Sequence, residues 1–389
     1  MTLRRTPAPS TVTRLLTAVA ALVVVACQPA VAPSAPSATS VGSAAPATGS
    51  VSPDGTSSAG SPAASSVETA YPSLLRLDLD TDGPFITPGD GPAGFGYALP
   101  AAAARDRDGG YVLFIVWFGE EAADILVTVS RSTDGRTWDV GTEPIFNDLG
   151  VGVADPGPIP TAAVQLQDGT WLLYGWAAED DAGSSFSSWR ARAAEPEGPW
   201  TLDGSQVLEP GGFGTWDSMM AVAASVHLEG DGYRMWYEGE VPGTEVRGEI
   251  GLATSPDGLA WQKWNDPATT DPARAASDPV IGSGICGAPT AQAVEQAQVE
   301  RQRNGYVAVF GGFGAARAEM DLFGAVSPDG RAWHCAGSTP LLRAQDVPNS
   351  DGIHTIASLP LEDGRMAVII ESLTGERSEL WWATVEVAG

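Results

Sequence analysis

The residue types here that could do chemistry are mainly carboxylates, with few imidazoles. The chain holds 48 Asp and Glu against 21 Lys and Arg, a formal charge of −27, and three histidines. His354 stands in "NSDGIHTIASL" (349–359). Its intrinsic pKa suits it to give and take protons. Asp351, just upstream, can accept a hydroxyl from a bound ligand. The plain structural alternative is a turn at Asp351-Gly352 and a satisfied imidazole. Glu238 in "YRMWYEGE" and Glu371 in "DGRMAVIIES" occupy matching places in two copies of one pattern, and Glu238 is a candidate ligand contact. Outside the cytoplasm Cys286 and Cys335 can pair. Alternatively they lie on strands too far apart, since a disulfide needs Cα atoms within about 7 Å. No His/Cys grouping has zinc spacing. No cofactor is expected; a hard cation such as calcium in an acidic channel is an open alternative that no motif supports.

The elements that must hold these residues are repeated. Five segments open on a tight turn and continue as β-formers: "DGGYVLFIVWFG" at 108–119, "DGTWLLYGWA" at 168–177, "DGYRMWYEG" at 231–239, "NGYVAVFGG" at 304–312 and the run beginning at Asp363. Asp-Gly and Asn-Gly are strong hairpin signals because both residues tolerate positive φ. A further strand follows each run. Then a second phrase recurs: "VSRSTDGRTW" (129–138), "IGLATSPDGLAW" (250–261) and "AVSPDGRAW" (325–333), with "AEPEGPW" substituting around Trp200. The Asp of this phrase can bond backbone amides of its own turn, so it reads as structural. Over the part of the chain after the tether the period is about 64 residues. Five four-stranded antiparallel sheets around an axis make a five-bladed β-propeller, an all-β fold. The last unit ends without a fourth strand, so "PSLLRLDLD" (72–80) is expected to supply it and close the ring.

Residues 1–27 read as a lipoprotein signal segment. Arg4, Arg5 and Arg14 precede "LLTAVAALVVVA", an apolar run too short to cross a bilayer as a mature helix. The run ends at Cys27, which is expected to carry lipid and anchor the protein to a membrane from the extracytoplasmic side. Residues 28–70 are almost wholly Ala, Pro, Ser, Thr, Gly and Val. Such a composition cannot bury enough apolar surface to offset its ordering entropy, and as a coil it spans roughly 35–40 Å. The folded domain is therefore expected over 71–389. A chain this acidic, with Lys263 its only lysine, does not bind nucleic acid through phosphate neutralisation. A monomer is expected.

The pattern "YRMWYEG…IGLATSPDGLAWQKW" within a five-fold repeat resembles the invertase and arabinanase type of glycoside hydrolase, over most of 90–389. The resemblance is strongest along "WDSMMAVAASVHLEGDGYRMWYEG" (216–239). It implies a site in the central channel, near the starts of the innermost strands, with carboxylates from the first three blades. Glycoside cleavage needs a protonated carboxyl near the leaving oxygen and an ionised group across the sugar. On this resemblance Asp155 in "VADPGPIP" matches the residue that orients and tunes, and Asp217 in "TWDSMM" matches the acid. The first blade departs from the pattern: "GFGYALPAAAA" (94–104) has no carboxylate, with only Asp90 upstream. His354 or Asp90 would have to fill that role. Trp216 and Tyr97 are expected near the channel mouth, where they can stack on a sugar face. The expectation is a carbohydrate-handling propeller, catalytic or purely binding. The turn phrase also looks superficially like the sialidase Asp-box, but it is one residue short and no arginine cluster accompanies it.

Overall fold

The computed structural model describes residues 75–119, 125–146, 149–152, 158–180, 183–230, 232–241, 248–314, 317–375 and 377–387. Cys27, the segment 28–70 and Asp155 lie outside them. The described chain is built of β-strands with a few single-turn 3-10 segments. None of its helices is long and apolar enough to cross a membrane.

Among the described residues the strands run as five successive antiparallel meanders. The first is β2 (Phe95–Arg105), β3 (Tyr111–Gly119) and β4 (Ile125–Ser132). Its outer edge is met only by the single bridges Val127–Phe146 and Arg131–Asp139. The second is β5 (Ile159–Gln165), β6 (Trp171–Ala178), β7 (Phe186–Ala193) and β8 (Thr201–Leu208). The third is β9 (Met220–Glu229), β10 (Gly232–Glu240) and β11 (Gly248–Ser255), edged by β12 (Gln262–Lys263) and β13 (Pro279–Ile281). The fourth is β14 (Ala293–Gln302), β15 (Gly305–Gly314), β16 (Arg317–Ser327) and β17 (His334–Cys335). The fifth is β18 (Gly352–Pro360), β19 (Met366–Thr374) and β20 (Arg377–Val387). Its outer strand is β1 (Leu75–Leu79), antiparallel to β20 in the register Leu75–Val387 to Leu79–Ala383. The first described strand of the chain thus pairs with the last.

The leading strand of each meander lies inside. β2 packs against β5 and β18, β5 against β9, β9 against β14, and β14 against β18. All five contribute to the lining of a central cavity, and of a second one near their far ends, a propeller-like arrangement. The seams between meanders are stitched by short polar side chains. Ser378 on β20 accepts from the Ala98 amide at 2.6 Å and donates to the Ala98 carbonyl at 2.7 Å. Ser188 does the same for β9, and Ser225 for β14. Apolar layers fill the rest. Trp117, Leu113 and Ile115 pack with Ile369, Leu359 and Trp382 across one seam. Burying side chains of this size contributes roughly 1.5–3 kcal/mol each.

The structure shows what the recurrent turn phrase is for. The Asp257 carboxylate accepts from the Leu259 and Ala260 amides, Gly258 takes φ +71°, and the Trp261 indole donates to the Gly258 carbonyl at 3.0 Å. Asp134 with Trp138, and Asp329 with Trp333, repeat the arrangement. Those amides hold the carboxyls of Asp134 and Asp257 down at about 2. Each is spent on its turn. The turns also join neighbours, because the Trp236 indole donates to the Gly330 carbonyl of the next meander at 3.1 Å. Cys286 and Cys335 form a disulfide, their Cα atoms 5.4 Å apart. It ties the loop entering β14 to the outer edge of the same meander, within the reach that sequence alone left open.

Candidate active site in the central cavity

Every innermost strand is interrupted by a β-bulge where it borders the cavity. Ala101 in β2, Thr161 in β5 and Ala224 in β9 are each an unpaired extra residue. In β14 Gln296 and Ala297 together oppose Phe310, and in β18 His354 and Thr355 together oppose Glu371. A bulge re-aims the side chains beside it. Here the first three bulges present small or hydroxyl groups and the last two present Gln296 and His354. The cavity holds about 140 Å³. Its walls are largely apolar, with Pro100, Ile159, Trp176, Met220 and Val222 among them, and its polar lining includes Glu238, Glu240, Glu295 and His354.

Glu238 and Glu240 sit two apart on β10, hence on one face of the strand. Glu295 comes from β14. Glu240 and Glu295 are each 6% exposed. The Gln296 backbone amide donates to Glu238 Oε2 at 2.8 Å. Burial pushes the Glu238 carboxyl up to about 7, against the pull of that hydrogen bond.

Opposite stands an imidazole with its own carboxylate. His354 Nδ1 lies 3.2 Å from Glu371 Oε2 and 3.0 Å from the Tyr97 hydroxyl. Thr355 Oγ1 donates to the same Glu371 oxygen at 2.7 Å. Glu371 is fully buried, and its other oxygen has no hydrogen-bond partner among the described residues. Burial pulls the His354 pKa down, but the charge and hydrogen bond of Glu371 outweigh it and the net shift is upward. With Nδ1 engaged by an anion, Nε2 is the ring nitrogen left for the cavity. Burial first, then Glu371, hold the Tyr97 phenol well above its ordinary value.

The other described residues singled out from the sequence, Tyr97 apart, lie elsewhere. Asp217 is 1% exposed and spent on structure. It pairs with Lys263 Nζ at 2.6 Å and accepts from Thr215 Oγ1, Ser277 Oγ and the Tyr237 hydroxyl. It is not among the cavity-lining residues. Trp216 is 6% exposed, packs on Tyr237 at 5.7 Å and donates to the Ser277 carbonyl. Its indole therefore fills the core and offers no stacking face. Tyr97 is 7% exposed and acts from behind His354. Asp351 caps a loop through the Gly375 amide at 2.7 Å, and Asp90 closes its own turn with Thr87. Sequence reasoning passed over Glu240, Glu295, Gln296 and Trp176. The alternation "EGE" at 238–240 carried a signal for Glu240. Nothing local carried one for Glu295 or Gln296, since a bulge is invisible in the sequence pattern. Among the described residues no cluster of three His, Cys, Asp or Glu is set to hold a metal ion.

No family model matches the chain, and no curated protein does. Solved structures match well in fold. A complex of BT0996 with RGII aligns with a TM-score of 0.59 at 15% identity, covering 80% of this protein and 92% of the other. Zg3597, a family 117 glycoside hydrolase from the marine bacterium Zobellia galactanivorans, aligns at 0.56 and 15%, covering 82% and 92%. A structure from the GH130 family of mannoside phosphorylases, which contains glycoside hydrolases that target β-1,2-mannosidic linkages in Candida mannan, aligns at 0.56 and 15%, also covering 82% and 92%. The protein shares its fold with these structures.

Proposed function

We propose that this chain is a lipid-anchored, extracytoplasmic propeller that binds and hydrolyses a glycoside in its central cavity. In this reading the five meanders are the blades of one closed ring, four-stranded where the outer edge is complete. The observation that carries it is the pairing of two proton-transfer groups in one cavity: Glu238, with its carboxyl at about 7, and His354, backed by Glu371. Three of the structures alike in fold, described above, support a carbohydrate ligand, one of them being a complex with RGII.

The chemistry balances with these two groups. Protonated Glu238 gives its proton to the glycosidic oxygen as the C–O bond breaks. His354 Nε2 takes a proton from the water that attacks the anomeric carbon. Glu371 stabilises the imidazolium that forms. Glu240 and Glu295 offer carboxylates for sugar hydroxyls and for positive charge developing on the ring. Asp155, a few residues before β5, remains a candidate for the orienting carboxylate that the family resemblance implies. Asp217 is left with the Lys263 ion pair.

The test screens the purified protein, Glu238→Gln and His354→Gln on furanosides, pyranosides and plant and microbial polysaccharides. Sugar release and thermal shift are read in the same wells. Hydrolysis by the wild type, lowered about 10²-fold or more in each variant, is expected. Release that survives both substitutions would sink the assignment. A thermal shift without release in the wild type would make the cavity a binding site only, and silence in both would end the carbohydrate reading.

A further inference from the structure

We propose that Gln296 is the positioning residue of the cavity, setting Glu238 and His354 relative to each other from a single bulge; this rests on the function proposed above. Gln296 has φ +54°, a left-handed conformation that a side chain other than Gly, Asn or Asp rarely adopts. Strain of this kind persists only where the surroundings over-determine it. Here three hydrogen bonds do so. The backbone amide donates to Glu238 Oε2 at 2.8 Å. The side-chain Nε2 donates to the His354 carbonyl at 2.9 Å. The side-chain Oε1 accepts from the Ile356 amide at 3.2 Å. One end of the residue therefore holds the acid, and the other holds both flanks of the bulge that aims the imidazole.

The remaining seam residues behave differently. Ser188, Ser225 and Ser378 touch only strand backbone. Gln298, two positions on, also reaches only backbone, at Ala224 and Ser358. Gln296 alone among these makes a bond to a titratable side chain. The charged and titratable groups around the pair are Glu240 from β10 and Glu295 from β14 on the Glu238 side. On the His354 side they are Tyr97 from β2 and Glu371 from β19.

Substituting Gln296 has opposite consequences at its two ends. Gln296→Gly permits the left-handed backbone but removes both bonds to β18. The bulge loosens, His354 drifts from Glu371 and its pKa falls. The amide on Glu238 is held less firmly, and that carboxyl rises further. The experiment titrates the full chain labelled with ¹⁵N-histidine and ¹³C-carboxyl glutamate, with His354→Gln and Glu238→Gln assigning the signals. The expected result in Gln296→Gly is a His354 midpoint lowered, and a Glu238 midpoint raised, by about half a pH unit or more. Ser225→Ala is the control, since it cuts seam bonds to β14 without touching either group. If that control moves both midpoints as far, or if Gln296→Gly moves neither, the proposal is overturned. Gln296→Asn, which favours the same backbone but is too short to reach β18, serves if the glycine variant does not fold. No substrate is needed, so silence of the sugar panel would end the hydrolase reading without touching this result.

Discussion

Glu238 keeps its proton to about pH 7 because the cavity wall denies its carboxylate water, and that shift has a sign in stability. A carboxyl raised from 4.5 to about 7 on folding makes the native state bind more protons than the unfolded chain. Stability from this group is therefore greatest below pH 4.5 and declines as pH rises through 7. The decline amounts to at most about 3–4 kcal/mol at about 1.4 kcal/mol per unit, less where cavity water reaches the group. Glu238→Gln should abolish that slope: relative to wild type, the variant gains stability between pH 5 and pH 8 in urea titrations. An unchanged slope would mean that Glu238 titrates as an ordinary surface acid. His354 has the same sign. Its pKa is raised by Glu371, so the pair stabilises below pH 6.5 and its contribution fades as pH climbs past the folded value. A catalytic profile governed by both groups should be bell-shaped.

The elements set these side chains by a shared device. Strand period alone would send alternate residues into the cavity, but the bulges break that period in all five innermost strands. The extra residue is what brings both Gln296 and His354 to the cavity wall. Holding the strands together then falls to the seams. Ala98 is fully buried, and Ser378 supplies the partners for its outward N–H and C=O. Ser378→Ala would leave both unpaired, at roughly 1–3 kcal/mol for each group. A loss of about 2–4 kcal/mol in urea unfolding is expected, with the far-UV spectrum unchanged. A loss below about 0.5 kcal/mol would mean that water or a backbone shift replaces the hydroxyl.

At the scale of the molecule, the fifth meander draws its outer strand from the beginning of the described chain, so β1 on β20 joins the two ends. The disulfide makes a second long-range tie. Cys286 and Cys335 lie 49 residues apart in sequence and close a loop containing β14, β15 and β16. Replacing both by Ser, which avoids a lone thiol, should cost about 2–4 kcal/mol, read as a lower urea midpoint. Reductant should lower the wild-type midpoint similarly and leave the double variant unmoved. Equal responses of the two proteins to reductant would show that the bond contributes nothing.

The repeat, the strand order within it and the role of the turn phrase were legible in the sequence because they are local. Ser-x-Asp-Gly-x-x-Trp closes on itself within seven residues, and hairpins are written in two. The surroundings of His354 were not legible, only the proton-transfer capacity of its residue type, since its partners Tyr97 and Glu371 stand 257 and 17 positions away. The family resemblance pointed to Asp217, and the fold gave that carboxylate to Lys263. The acids of the cavity came instead from a second strand and from the start of β14. Side chains choose partners by distance through space, and five bulged strands meeting around one axis decide those distances. Composition and spacing along the chain determined the repeated β architecture, and the packing of the five inner strands decided that Glu238, among its many carboxylates, lost its water and had its pKa pushed up.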